Sequence, residues 1–148
     1  MYSVFATQRG ATNNSSTIDI QRRNVFIRYP RYQEDIIENT GTGAFVAGTG
    51  ILVARSTDGD FNVKPVLTAA DLPNVIGVLR IEGGEVELGA GETANCNVCV
   101  SSDIDTTLLD LPSGITLTTK VGDKCLKDVL TGLGFVLFNV TELSKFDN

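Results

Sequence analysis

Val75-Ile76-Gly77-Val78-Leu79-Arg80-Ile81 reads as the strongest buried strand of the chain. It is short, rich in β-branched and aliphatic side chains, and bounded by turn residues, which argues for a strand over a helix. Asp71-Leu72-Pro73-Asn74 forms a loop before it, and Glu82-Gly83-Gly84-Glu85 turns the chain after it. Outward from this run the same grammar repeats. Ile51–Ser56 and Phe61–Leu67 are strand candidates separated by Thr57-Asp58-Gly59-Asp60, with Asp-Gly at the centre as hairpin turns prefer. Pro65 marks the second of these as an edge strand or a bulge. Downstream, Val86-Glu87-Leu88 leads through Gly89-Ala90-Gly91-Glu92 into Thr93–Val100. There Cys96, Val98 and Val100 fall on one face, and Asn95, Asn97 and Cys99 on the other.

One segment changes period. Val121, Cys125, Leu126, Val129, Leu130 and Leu133 form a single apolar stripe at helical spacing, with Lys120, Asp123, Lys124, Lys127 and Asp128 on the other side. Gly132 and Gly134 are candidate stops, and Phe135–Val140 reads as a last strand. The fold class expected is therefore mainly β with one C-terminal amphipathic helix (α+β).

Composition narrows the function. The 148 residues suit one domain plus an arm. There is no histidine, which removes the commonest general base and metal ligand and the Ser-His and Cys-His nucleophile pairs. The three cysteines, Cys96, Cys99 and Cys125, are an odd count without a secretory signal, and read as buried free thiols. No apolar run is long enough to span a bilayer. The start lacks a signal-peptide layout, so synthesis in a cytoplasm and no membrane partner are expected.

Charge divides the chain. Residues 1–33 carry five arginines against Asp19 alone, a net +4, which leaves −10 for the rest of a chain whose total is −6. Gly10–Thr17 is small and polar, with little to bury. Tyr2, Phe5, Phe26, Tyr29 and Tyr32 are interleaved with the arginines, the mixture that protein interface cores favour. We expect an arm over residues 1–40, extended or ordered on binding, ahead of a β-rich domain over residues 41–148. The plain alternative is an ordinary tail followed by a first strand, Asn24–Tyr29. Nucleic-acid binding is disfavoured, because an acidic body repels phosphate.

Chemical motifs do not assemble. Cys96-x-x-Cys99 has no second ligand pair for zinc, and residues three apart on a strand point to opposite faces. Gly41-Thr42-Gly43 and Gly48-Thr49-Gly50 fail the dinucleotide pattern, since Val46 and Val53 occupy the third glycine's place. Asp103-x-Asp105 lacks the glycine and distal glutamate of a calcium loop. Neither a catalytic residue, a cofactor nor a metal site is expected. A weak cation site on an acidic turn stays open.

The order of features resembles the lambda-type bacteriophage head decoration (capsid cement) family. Gly50-Ile51-Leu52-Val53 comes first, then Val75-Ile76-Gly77-Val78-Leu79 with the family's Gly-Val-Leu, then Ala94–Val100. Leu111-Pro112-Ser113-Gly114-Ile115-Thr116-Leu117 then leads to a helix ending Leu130-Thr131-Gly132-Leu133-Gly134, with a last strand after it. The match covers residues 50–137, while Glu34–Thr40 has no counterpart. The resemblance implies a small β-barrel or β-tulip-like body with an extended N-terminal arm. It also implies a non-enzymatic virion protein that binds the outer capsid surface and stabilises the coat lattice. The implied partners are the major capsid protein and further copies of the chain, commonly as a trimer, without nucleic acid. The expected partner contacts are Arg9, Arg22, Arg23, Phe26, Arg28, Tyr29, Arg31 and Tyr32. Another virion part, such as a head-fibre base or minor head protein, is the alternative.

Overall fold

The computed structural model describes residues 24–56 and 62–140. Arg9, Arg22, Arg23 and the turn read at Thr57–Asp60 lie outside the described residues.

The body is mainly β. Its strands are β1 (Phe26–Glu38), β2 (Phe45–Gly48), β3 (Leu52–Arg55), β4 (Asn62–Pro65), β5 (Val75–Arg80), β6 (Glu85–Leu88), β7 (Thr93–Asp105), β8 (Lys120–Val121), β9 (Lys124–Cys125) and β10 (Val136–Phe138), with one α-helix, α1 (Leu126–Leu133). The main sheet runs β1-β4-β3-β5-β7-β10, and β1 also pairs with β7. β2 and β6 form a separate antiparallel pair, as do β8 and β9.

Both faces of the main sheet are apolar. On one face Ile37, Val53, Val63, Leu79 and Val98 pack together, and Ala47 and Leu88 of the β2–β6 pair cover them. On the other face Leu52, Val78, Cys99 and Ile104 meet Leu126 and Leu130 of α1 and Leu72 of a 3₁₀ turn, Ala69–Asn74. The alternation read across Cys96–Val100 holds: Cys96, Val98 and Val100 join the first core and Cys99 the second. Cys96 and Cys99 therefore lie on opposite sides of one strand. All three cysteines are free, but only Cys99 is fully buried. Cys96 and Cys125 are half-buried, which corrects the expectation of three buried thiols.

A bulge resets the alternation of β5. Val53 pairs with Gly77 but Ala54 with Val75, so Ile76 is the extra residue. After it, Val78 faces the helix side while Leu79 and Ile81 face the other. Gly77 lies tight against β7. A Cβ there would stand 2.3 Å from the Cys99 carbonyl oxygen and 2.7 Å from Val98 Cγ1.

Four expectations change. The stretch Asp71–Asn74 is part of the 3₁₀ turn rather than loop. β2 went unread, and it takes β6 as its partner. The helix begins at Leu126, five residues later than the apolar stripe. Gly122-Asp123 instead closes a two-residue hairpin between β8 and β9, with Gly122 at φ +66. The Cys125 amide and Sγ–H then both donate to the Asp128 carboxylate at 3.3 Å, and these bonds hold that carboxyl below its usual range. At the far end Gly134 (φ +112) takes the left-handed cap and its N–H donates to the Leu130 and Thr131 carbonyls.

The fourth change concerns the arm. Residues 26–38 are extended, yet they belong to the sheet. β1 pairs antiparallel with β7 from Phe26↔Ile104 to Glu38↔Thr93, and parallel with β4 at Ile36 and Ile37. A boundary at residue 40 therefore cuts off a strand that the body needs.

Candidate interface

β1 is paired on both edges only near its end. From Phe26 to Asp35 it has β7 on one side and, among the described residues, no strand on the other. Three register shifts interrupt this stretch, between Phe26 and Arg28, Arg28 and Arg31, and Arg31 and Tyr32. Tyr29 sits in the second with φ +57, the one non-glycine residue in the left-handed region among the described residues. A residue before proline ordinarily takes extended backbone, so Tyr29, ahead of Pro30, is disfavoured on two counts. Pro30 lacks an N–H, and the bulges break the row of donors that an incoming strand needs. What β1 offers here is side chains.

Their fates differ. Phe26 is buried in the helix-side core, edge-on to the Tyr32 ring at 5.6 Å, so it fills this protein's own core and not a partner's pocket. Arg28 is already engaged. Its Nε donates to Asp103 Oδ2 at 2.9 Å, and its guanidinium lies 5.5 Å from the Tyr29 ring centre and 5.9 Å from that of Phe138. Ser102 Oγ donates to the Arg28 carbonyl at 3.0 Å. An exposed ion pair adds little stability, but these contacts together hold Arg28 in one place. Tyr29 is 75 % exposed. Arg31 is exposed opposite Ser101. Tyr32 is part-exposed, with the Arg80 guanidinium 5.3 Å from its ring centre. Burial raises the Tyr32 phenol above its ordinary value, the Cys99 thiol adds to this, and Arg80 opposes it.

The roles of Arg80, Asp103 and Phe138 were not read from the sequence. Arg80 alone gave a signal, as a charge inside the apolar run from Val75 to Ile81. Asp103 and Phe138 reach β1 only through the β7 and β10 pairings.

Beside β1 opens a groove of ≈ 910 Å³ whose walls include Glu34, Asp35, Arg55, Arg80, Asn95 and Asn97. Asp35 is buried at 5 % side-chain exposure and binds Arg55 Nη1 at 3.0 Å. Its Oδ1 accepts from the Ile36 amide at 3.0 Å. Cys96 also lines the groove, and burial, with the nearby Asp35 charge second, pushes its thiol up from 9.0 to about 11. A raised pKa means the folded state keeps the proton that the unfolded chain loses. This contribution to stability is whole below pH 9 and is lost as pH rises through about 11. At pH 8 Cys96 is expected to react with iodoacetamide far more slowly than in the urea-unfolded chain, read by peptide mass spectrometry. Equal rates would mean the thiol is not held in this setting.

A smaller cleft of ≈ 360 Å³ lies between α1, the 3₁₀ turn and the β8–β9 hairpin, lined by Leu72, Val121 and Leu133 together with Thr119, Lys124 and Asp128. Among the described residues, no three His, Cys, Asp or Glu side chains are grouped to hold a metal ion, and no helix is long and apolar enough to cross a membrane. No protein-family model matches the chain, and no curated protein or solved structure matches it.

Proposed function

We propose that this chain is a virion structural protein that binds the outer surface of a bacteriophage capsid and cements its coat lattice. The observation that carries the reading is Tyr29. Holding a tyrosine in the left-handed region costs about 1–2 kcal/mol, and here the strained residue is also the most exposed large apolar side chain among the described residues. Backbone strain of this kind gathers at functional positions. The neighbouring Arg28 is fixed, and rigid aromatic and arginine side chains are the common anchors of protein interfaces.

The wider features agree. The basic N-terminal part is set on an acidic body, and the order of elements resembles the decoration family. We read β1, β4, β3, β5 and β7 as a small barrel, because each pairs with the next and the last with the first. The partner is then the major capsid protein, with Tyr29 and Arg31 as direct contacts and Arg9, Arg22 and Arg23 adding charge. A homotrimer is the assembly favoured by the resemblance. Repetition over the lattice adds avidity without new contacts, and a ligand that binds only the mature shell stabilises it.

The test is co-sedimentation of the purified chain with expanded, undecorated heads of the virus that encodes it. Saturable binding is expected. Tyr29→Gly should weaken it by about 2 kcal/mol, roughly thirtyfold. The same change should leave the melting temperature equal or higher, since glycine relieves the strain at a smaller entropic cost. Absence of wild-type binding refutes the reading. Undiminished binding by the Tyr29→Gly variant removes Tyr29 from the interface.

A further inference from the structure

The capsid reading leaves the groove beside β1 without a role. Sheet register builds one wall of it. Arg80 pairs with Asn97, and Asn97 with Glu34, so these side chains form one row across β5, β7 and β1. Directly paired residues project to the same face of a sheet. Asn95, opposite Ile36, begins the next row on that face. None of Glu34, Arg80, Asn95 and Asn97 spends its side chain on a hydrogen bond or ion pair among the described residues, although Arg80 is seated on the Tyr32 ring. Asp35, by contrast, pairs with Cys96 and so projects to the opposite face, where its carboxylate is committed to Arg55 and the Ile36 amide.

We propose that this groove binds a short neutral saccharide. Charge excludes the main competitors. Asp35 and Arg55 neutralise each other, and Glu34 and Glu82 outnumber Arg80, so a phosphate or a carboxylate meets net repulsion. For a metal ion, no three His, Cys, Asp or Glu side chains are grouped among the described residues. Ligand pockets in this size range are ordinarily lined by apolar side chains. Here Ile36 and Cys96 share the lining with carboxamides, guanidinium groups and carboxylates, so a matching ligand offers hydrogen-bonding groups beside apolar C–H faces. A sugar hydroxyl is both donor and acceptor. Each carboxamide of Asn95 and Asn97 likewise presents both, while Glu34 accepts and Arg80 donates. Ile36, 39 % exposed, supplies an apolar contact for the C–H face of a ring. Because strand pairing fixes the wall before any ligand arrives, little order has to be imposed on binding.

The proposal rests on the groove alone and stands apart from capsid binding. Its test is ¹⁵N NMR of the intact chain, following the side-chain amides of Asn95 and Asn97. The probes are di- and trisaccharides of glucose, N-acetylglucosamine, galactose and rhamnose, each raised to tens of millimolar, with an acidic peptide of alternating aspartate and glutamate as the competitor class. At least one saccharide is expected to shift both carboxamides saturably. In the Asn95→Ala/Asn97→Ala variant its affinity, read on backbone amides, should fall by about tenfold or more while the melting temperature stays within a degree or two. No shift from any of the sugars, an unchanged affinity in the variant, or shifts from the acidic peptide alone would each overturn the proposal. The last would make the groove part of a protein interface.

Discussion

Replacing Gly77 with alanine is expected to cost about 3 kcal/mol or more, near the upper end of overpacking effects. The reason is what the new Cβ meets. It would stand 2.3 Å from the Cys99 carbonyl oxygen and 2.7 Å from Val98 Cγ1, both on β7. A flexible side chain could turn aside from such a clash, but a backbone carbonyl in a ladder cannot. Val78↔Cys99 and Leu79↔Val98 tie β5 to β7 at the same place, and Tyr32↔Cys99 and Gln33↔Val98 tie β7 to β1. Moving the carbonyl therefore loosens three strands together, and small domains have only about 5–15 kcal/mol to lose. Gly43→Ala is the control, because nothing lies within 4 Å of its Cβ position and its φ is ordinary. It is expected to stay within about 0.5 kcal/mol of wild type. Urea midpoints at constant slope measure both. A loss below about 1 kcal/mol at Gly77 would show that β5 and β7 are further apart than described.

Gly77 also marks what the sequence can and cannot disclose. The run from Val75 to Ile81 is legible because it is buried on both faces, and continuous apolar character announces that. The bulge at Ile76 is not legible, since it depends on the register of β3 against β5. β1 is the reverse case. Of the apolar residues in Phe26–Glu38, only Phe26 and Ile37 are buried. A strand with wet faces has no period of two, and its charged residues read as an arm. The alternative first strand, Asn24–Tyr29, catches only its start; the rest is made a strand by the backbone ladder to β7, which leaves no compositional trace. The last third of β7 was missed for a related reason. Ser101-Ser102-Asp103 looks like a turn until Arg28 meets Asp103 and Ser102 Oγ finds the Arg28 carbonyl. Around α1 the stripe from Val121 to Leu133 kept helical spacing by coincidence. The local rule that overrides it, a Gly-Asp pair closing a two-residue hairpin, is visible in Gly122-Asp123 once hairpins are considered.

The candidate interface divides along the same line. Arginine and aromatic content singles out β1, but composition does not distinguish a side chain turned inward from one displayed. Phe26 and Tyr29 are two aromatics three residues apart. One closes the core and the other is held outside it, and three register shifts between Phe26 and Tyr32 govern which is which.

Truncating Leu79 and Leu130 to alanine tests whether the two cores are one folding unit. Both side chains are fully buried, on opposite faces of the main sheet, and they belong to separate apolar clusters. Each truncation leaves a cavity and is expected to cost about 3 kcal/mol, within the 2–5 kcal/mol usual for such changes. With no shared cluster, the double variant should lose close to the sum of the two, within about 0.5 kcal/mol. The sheet between them is common property, however. Val98 and Cys99 are adjacent on β7 and bury their side chains in different cores, so neither core can melt without releasing the backbone that orders the other. A single cooperative transition is therefore expected in every variant, coincident by far-UV circular dichroism and by Cys99 accessibility. If Leu130→Ala instead exposes Cys99 at a lower urea concentration than it melts the strands, the helix side unfolds independently. The sheet with its Leu79 core would then be the smaller unit that carries β1.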